Sequence, residues 1–192
     1  MEIPLTIADH LRRGELVYGD RVAVVDEPDQ PASPLANLTY RQTADLARSM
    51  AVGLGDLGLD LGTRVAMVSH NAARLLIFLY GTSAFGRVGV PINFRLNRDE
   101  VQFIDDHSGA EVLIMDPELK ADLGDIEVKH RLLVGEESDA LFTRGMEEGA
   151  DPLPWIPDEA ATATINYTSG TTARPKGVEM THRNLWLNAA IF

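Results

Sequence analysis

Residues 167–178 read YTSGTTARPKGV, and no other stretch of the chain says as much. Thr168, Ser169, Thr171 and Thr172 supply four aliphatic hydroxyls, Gly170 and Gly177 supply two adaptable backbone points, and Pro175-Lys176 ends the run with a braced cation. A β-favouring segment, Ala161 to Tyr167, leads in, and a short apolar run and a helix follow. A loop so placed offers an anion several backbone N–H groups, several O–H donors and one mobile ammonium at once. Fixed dipoles aimed at a departing pyrophosphate stabilise the transition state more than the ground state, because the charge grows as the bond breaks. Lys176 can reach β or γ oxygens as a point charge, and Gly170 and Gly177 permit close backbone approach and a positive φ. Pro175 fixes its own φ and biases Arg174 towards extended geometry. The order Lys176-Gly177 is not that of a Walker A loop, where Gly-Lys-Ser/Thr opens a helix, so γ-phosphoryl hydrolysis is not implied. A lone Ser/Thr/Gly cluster is ordinarily a polar turn; the preceding strand and the Pro-Lys-Gly ending argue against that here.

The surrounding composition sharpens this reading. Net charge is -12, and it is unevenly placed. Residues 1–97 carry nine basic and ten acidic groups, residues 98–160 five and eighteen, and residues 161–192 three and one. The hydroxyl-rich loop therefore lies in the one region that is net positive. Binding along a nucleic-acid backbone needs many cations on one surface, which this chain does not offer, whereas a single triphosphate is compatible. Fourteen arginines stand against three lysines, Lys120, Lys129 and Lys176, so the slim ammonium inside the loop is a distinctive choice. The absence of cysteine excludes disulfides, thiolate metal sites and a cysteine nucleophile, and fits a cytoplasmic setting. The first residues lack the layout of a signal peptide, and the longest strongly apolar run, Leu75 to Tyr80, is too short to span a bilayer.

Periodicity places the loop in a fold. Ile7 to Leu11 starts a helix behind Thr6 as N-cap, and Val22 to Val25 is a strand. Glu27 to Asn37 is a loop. Tyr40, Ala44, Ala47, Met50 and Leu54 recur at helical spacing, and Gly55 begins that helix's end. Arg64 to Ser69 is a strand, Ala72 to Phe85 an apolar helix, and Gly89 to Ile92 a strand. Asp99 to Asp106 is a helix, with Asn97 as N-cap and Gly109 as stop. Glu111 to Met115 and Arg131 to Val134 are strands. Residues 136–158 read as an exposed acidic connection, and Ala163 to Tyr167 opens a further strand. Such alternation predicts βαβ units and an α/β fold: a parallel-rich sheet flanked by helices. The expected division is an N-terminal α/β subdomain, 1–160, followed by the start of the next sheet with the phosphate loop, 161–192.

YTSGTTARPKGV resembles the phosphate loop of the adenylate-forming, AMP-binding superfamily, which usually reads TSGTTGxPKGV. Here Ala173 stands for a glycine, and alanine disfavours φ > 0 by about 1 kcal/mol or more. The stretches beginning at Leu38 and Ala84, and VEMTHRN after the loop, resemble other family blocks in the expected order. Pro91-Ile92-Asn93-Phe94-Arg95-Leu96 and the tyrosine before the loop look like the acyl-CoA synthetase branch. The resemblance implies the N-terminal part of the large domain of an acyl-CoA synthetase-like enzyme, about the first third of a member. It implies two steps: a carboxylate attacks the α-phosphate of Mg-ATP to give an acyl-adenylate and pyrophosphate, then a thiol, usually of CoA, takes the acyl group. Thr168, Ser169, Gly170, Thr171, Thr172 and Lys176 would hold the β and γ phosphates, with Lys176 the catalytic candidate. The Mg2+ ligand and the acyl pocket would lie downstream, so residues 1–192 alone are expected to be inactive, and to self-associate through uncovered sheet edge and apolar surface. The substrate class is a small-molecule carboxylic acid of fatty-acyl type. The alternatives are a domain that activates an acid for a carrier protein, and a non-catalytic nucleotide-binding remnant.

Outside the loop, His182 could contact substrate or nucleotide, although a histidine after a helix N-cap more often packs. His10, His70, His107 and His130 lack metal-ligand spacing and read as structural or surface residues. Asp105-Asp106 reads as a solvated helix face, because helix neighbours point apart. Trp155 and Trp186 read as packing anchors, and Arg87 and Arg95 as distant candidates for a CoA or partner contact.

Overall fold

Capping residues fix where the helices begin. Asp9 accepts from the Thr6 amide at 3.0 Å, Thr39 Oγ1 accepts from the Gln42 amide at 3.2 Å, and Asn97 Oδ1 accepts from the Glu100 amide at 3.1 Å. In the last two cases the Gln42 or Glu100 side chain reaches back to the cap amide, so two otherwise orphaned donors are satisfied reciprocally. The computed structural model describes residues 3–168 and 174–191. In chain order these form α1 (Ile7–Tyr18), β1 (Val22–Val25), β2 (Asn37–Thr39), α2 (Tyr40–Asp56), β3 (Arg64–Val68), α3 (Ala73–Ser83), β4 (Val88–Ile92), α4 (Arg98–Ser108) and β5 (Ala110–Met115). A 3-10 turn (Pro117–Leu119) then runs into α5 (Lys120–Leu123), followed by β6 (His130–Leu133), α6 (Glu137–Glu148), β7 (Thr162–Thr168), β8 (Lys176–Thr181) and α7 (His182–Ile191). No helix among them is long and apolar enough to cross a membrane.

The main sheet has six strands in the order β6-β5-β3-β4-β7-β8. β6, β5, β3, β4 and β7 run parallel, and only β8 is antiparallel. A separate antiparallel pair, β1 and β2, lies outside it. β3 shows why the sheet is sealed on both faces. Val65 and Met67 join one core with Met50, Leu54, Ile77, Phe78 and Phe142, while Ala66 and Val68 join another with Val101, Ile104, Leu113 and Met115. Strand side chains alternate with period two, so a continuous apolar run buries both faces.

Residues 136–158 depart from the expected exposed connection: α6 forms there and packs against α2. Ser138, Leu141, Phe142 and Gly145 are its buried residues, spaced as one helical stripe. Gly145 permits the close approach, since a Cβ there would lie 2.9 Å from Ser49 Cα. Burial of Leu141 and Phe142 contributes roughly 1.5–3 kcal/mol each before entropic costs. Arg74, buried on α3, donates from Nε and one Nη to the two Asp139 oxygens at 2.8 and 2.7 Å, and from the other Nη to Ser33 O at 2.8 Å. The acidity of this segment is thus partly consumed inside the fold.

β7 departs from the sequence reading as well. It does not open a new sheet but extends the same one, through a parallel bridge between Gly89 and Thr164. Ser83 Oγ on α3 also donates to Ala163 O at 2.6 Å, tying the start of β7 to the parallel body.

Candidate phosphate-binding site

Because β7 runs parallel to β4, its last residues emerge at the carboxyl edge of the sheet, where open α/β sheets commonly hold ligands. β8 returns beside it in a register that pairs Thr162 with Thr181, Tyr167 with Gly177 and Thr168 with Lys176. Thr168 and Lys176 therefore face each other across the mouth of the hairpin, both exposed. Of the six residues assigned to phosphate from sequence, the fold brings these two together. Ser169, Gly170, Thr171 and Thr172 lie outside the described residues. Gly177 does what close approach requires: a Cβ there would lie 3.0 Å from Ile165 Cγ2 and 3.1 Å from Tyr167 Cζ. Its φ is not in the left-handed region, so that part of the expectation is not used at Gly177.

The chemistry available at the mouth is that of anion capture. A hydroxyl donor and an exposed ammonium stand on adjacent strands, and Arg174 adds a second exposed cation just before β8. Among the described residues, no group of three or more histidines and acids is placed to hold a metal ion.

His182 lies at the opposite end of the hairpin. β7 has seven residues, so at ~3.3 Å per residue His182 stands about 20 Å from the mouth. Its ring is buried, 5.1 Å from that of Trp155, and burial pushes its pKa down from the ordinary value. This is a packing histidine, and Trp155 is its anchor. Trp186 stacks on His10 at 5.7 Å, and His70 pairs with Glu118. Arg87 offers nothing to CoA or a partner. It is buried and donates to Leu59 O at 2.6 Å and Ala51 O at 3.1 Å, and burial lowers its pKa. Arg95 is exposed over the Phe94 ring at 5.3 Å.

On α4, Asp105 departs from the sequence reading, and His107, a surface residue as expected, makes a contact the sequence did not show. Asp106 is solvated as expected, but Asp105 is 3% exposed, and its Oδ1 has no hydrogen-bond partner among the described residues. Burial, with Asp106 alongside, pushes its pKa up to about 7. His107 is exposed, yet its Nδ1 lies 2.7 Å from the Tyr167 hydroxyl, beside the hairpin mouth. No sequence signal joins residues 60 positions apart; only the parallel order of the strands brings them together.

Comparison with known proteins gives the chain a family. A family model described as AMP-binding enzyme matches residues 11–192. The chain is 32% identical to a long-chain-fatty-acid–CoA ligase of Thermus thermophilus, covering 98% of this chain and 36% of that protein. It is 31% identical to a chloroplastic long-chain-fatty-acid–[acyl-carrier-protein] ligase of Arabidopsis thaliana, covering 93% of this chain and 28% of that protein. Among solved structures, a long-chain-fatty-acid-CoA ligase from Archaeoglobus fulgidus superposes with a TM-score of 0.83 at 25% identity, over 99% of this chain and 39% of that one. The chain thus spans about a third of the length of the curated relatives it matches.

Proposed function

Because the chain belongs to the AMP-binding enzyme family, we propose that it is the phosphate-gripping part of an ATP-dependent carboxylic acid–CoA ligase of fatty-acyl type. The observation that carries the reading is the pairing of Thr168 with Lys176 at the carboxyl edge of the sheet, on either side of the Ser169–Thr172 run. A carboxylate oxygen of the acid attacks the α-phosphorus of ATP, the bond to the bridging oxygen breaks, and pyrophosphate leaves with the electron pair. The thiol sulfur of CoA then attacks the acyl carbon and expels AMP, the thiol losing its proton. In the first step Lys176 and the hydroxyls of Thr168, Ser169, Thr171 and Thr172 hold the β and γ oxygens as charge gathers on the leaving group. Gly170 gives the backbone room to approach. Mg2+ would accompany the nucleotide, and no residue described here is assigned to it. A cytoplasmic setting and self-association through the exposed β8 edge belong to the same proposal. For residues 1–192 alone it is triphosphate binding without adenylate formation.

A carrier-protein thiol as acceptor is the second reading, favoured by the acyl-carrier-protein ligase among the relatives. Titration of Mg-ATP against the chain and against Lys176→Ala tests the core of the proposal. We expect binding to weaken tenfold or more in the variant, and tripolyphosphate to compete. Equal affinity in both proteins would remove the phosphate role and leave a non-catalytic remnant as the better description.

A further inference from the structure

The loop end of the β7–β8 hairpin has little backbone anchorage to the parallel body. The bridge between β4 and β7 is at Gly89 and Thr164, towards the start of β7. Ile165 and Tyr167 pack against the core that contains Ile92 and Ile104, and α4 adds side-chain contacts at the mouth itself. Phe103 and His107 are one turn apart on that helix, and their rings stack at 5.5 Å. Beyond His107 stands Tyr167, edge-on at 5.8 Å, with its hydroxyl 2.7 Å from His107 Nδ1. Beyond Phe103 stands Arg174, its guanidinium carbon 5.5 Å from the ring centroid. Tyr167 closes the last described turn of β7 before Thr168, and Arg174 comes two residues before Lys176. The four side chains form one continuous row, Tyr167, His107, Phe103, Arg174, whose two ends hold the two sides of the hairpin mouth. Both inner members come from the same rigid helix face.

We propose that His107 and Phe103 are positioning residues: they clamp the two sides of the mouth against α4 and so set the spacing at which Thr168 and Lys176 meet an anion. The His107 ring accepts the phenol proton of Tyr167 at Nδ1 when its own proton is on Nε2. It thereby fixes the rotamer of the residue that packs across Gly177. Phe103 holds Arg174 by cation–π attraction, leaving the guanidinium edges available to solvent or to an anion. Neither side chain is read as touching the nucleotide. The clamp rests on the phosphate reading only for its purpose, not for its existence.

Amide hydrogen exchange separates the two. His107→Leu, a change at an exposed site, should raise exchange several-fold in Ile165–Thr168 and Lys176–Val178 and leave β3 and β5 unchanged. Phe103→Leu should do so mainly on the Lys176 side. His107→Asn, which keeps a polar acceptor near Nδ1, should restore most of the protection. The Mg-ATP concentration needed for half-maximal protection should rise three- to tenfold in His107→Leu and return in His107→Asn. Unchanged hairpin exchange in His107→Leu, or no rescue by asparagine, would overturn the clamp. Faster exchange with an unaltered Mg-ATP midpoint would overturn the positioning role. If Mg-ATP protects not even the wild-type hairpin while His107→Leu still loosens it, the clamp stands and the phosphate reading falls.

Discussion

The two halves of the main sheet are built on different terms. β3 and β5 are sealed between helices, and Val65 to Val68 expose nothing. β7 and β8 form an antiparallel hairpin at one edge, and the first four residues of β8 are all exposed. The same number of strand residues therefore represents very different amounts of buried apolar surface. The parallel half supplies stability and a fixed edge, and in the function proposed above the hairpin supplies the groups that meet an anion. Damage to the first should appear as lost folding free energy, and damage to the second as lost binding at nearly constant stability.

Four substitutions test that separation, from the largest expected change in stability to the smallest. Arg74→Met should cost about 3–5 kcal/mol in urea unfolding, because Asp139 and Ser33 O lose a buried partner that spans α3 and α6. A cost below 1 kcal/mol would mean that α6 holds without it.

Asp105→Asn should act through pH. The buried carboxyl keeps its proton up to about pH 7, while in the unfolded chain it loses it near the ordinary aspartate value of 3.8. Between those values the folded state binds more protons, so its contribution to stability falls as pH rises from about 4 to 7 and stays low above. The variant should remove that slope and gain on the order of 2–4 kcal/mol over wild type at pH 8, with little change at pH 4. Parallel stability curves for the two proteins would show that Asp105 is ionised in the fold.

Gly145→Val should cost about 1–3 kcal/mol, since its side chain would press on Ser49 and Val52 of α2. Retained stability would mean that the two helices can separate without loss. Lys176→Ala should change unfolding by no more than about 0.5 kcal/mol, as an exposed residue whose side chain has no hydrogen-bond or ion-pair partner among the described residues does. Calorimetric unfolding beside the binding titration checks this. A large drop in melting temperature would erase the distinction between platform and hairpin.

The same division governs what could be read from sequence. Asn97, Thr6 and the apolar runs of β3 and β5 announce themselves because capping and period-two burial act over a few residues. Thr168 and Lys176 could be singled out because a cation and hydroxyls within ten positions carry their own chemistry, whereas their pairing across the hairpin came only with the register of the strands. α6 was hidden by its acidity and by the prolines that follow it, Pro152, Pro154 and Pro157. Its stripe of Ser138, Leu141, Phe142 and Gly145 is half small residues, and the arginine that receives its charge lies 65 positions away. Asp105 reads like Asp106 until packing shows which of them faces inward. His107 could not be singled out, since its significance comes from Tyr167, and strand order is a property of the whole chain.

The backbone pairing of β7 with β4 is confined to Gly89 and Thr164. A transplanted β7–β8 pair must therefore match Gly89, the Ser83 hydroxyl, the aromatic face of α4 and the core that Ala163, Ile165 and Tyr167 meet. Protein engineers seeking a different anion preference could vary the tip while keeping those couplings, without redesigning the interior.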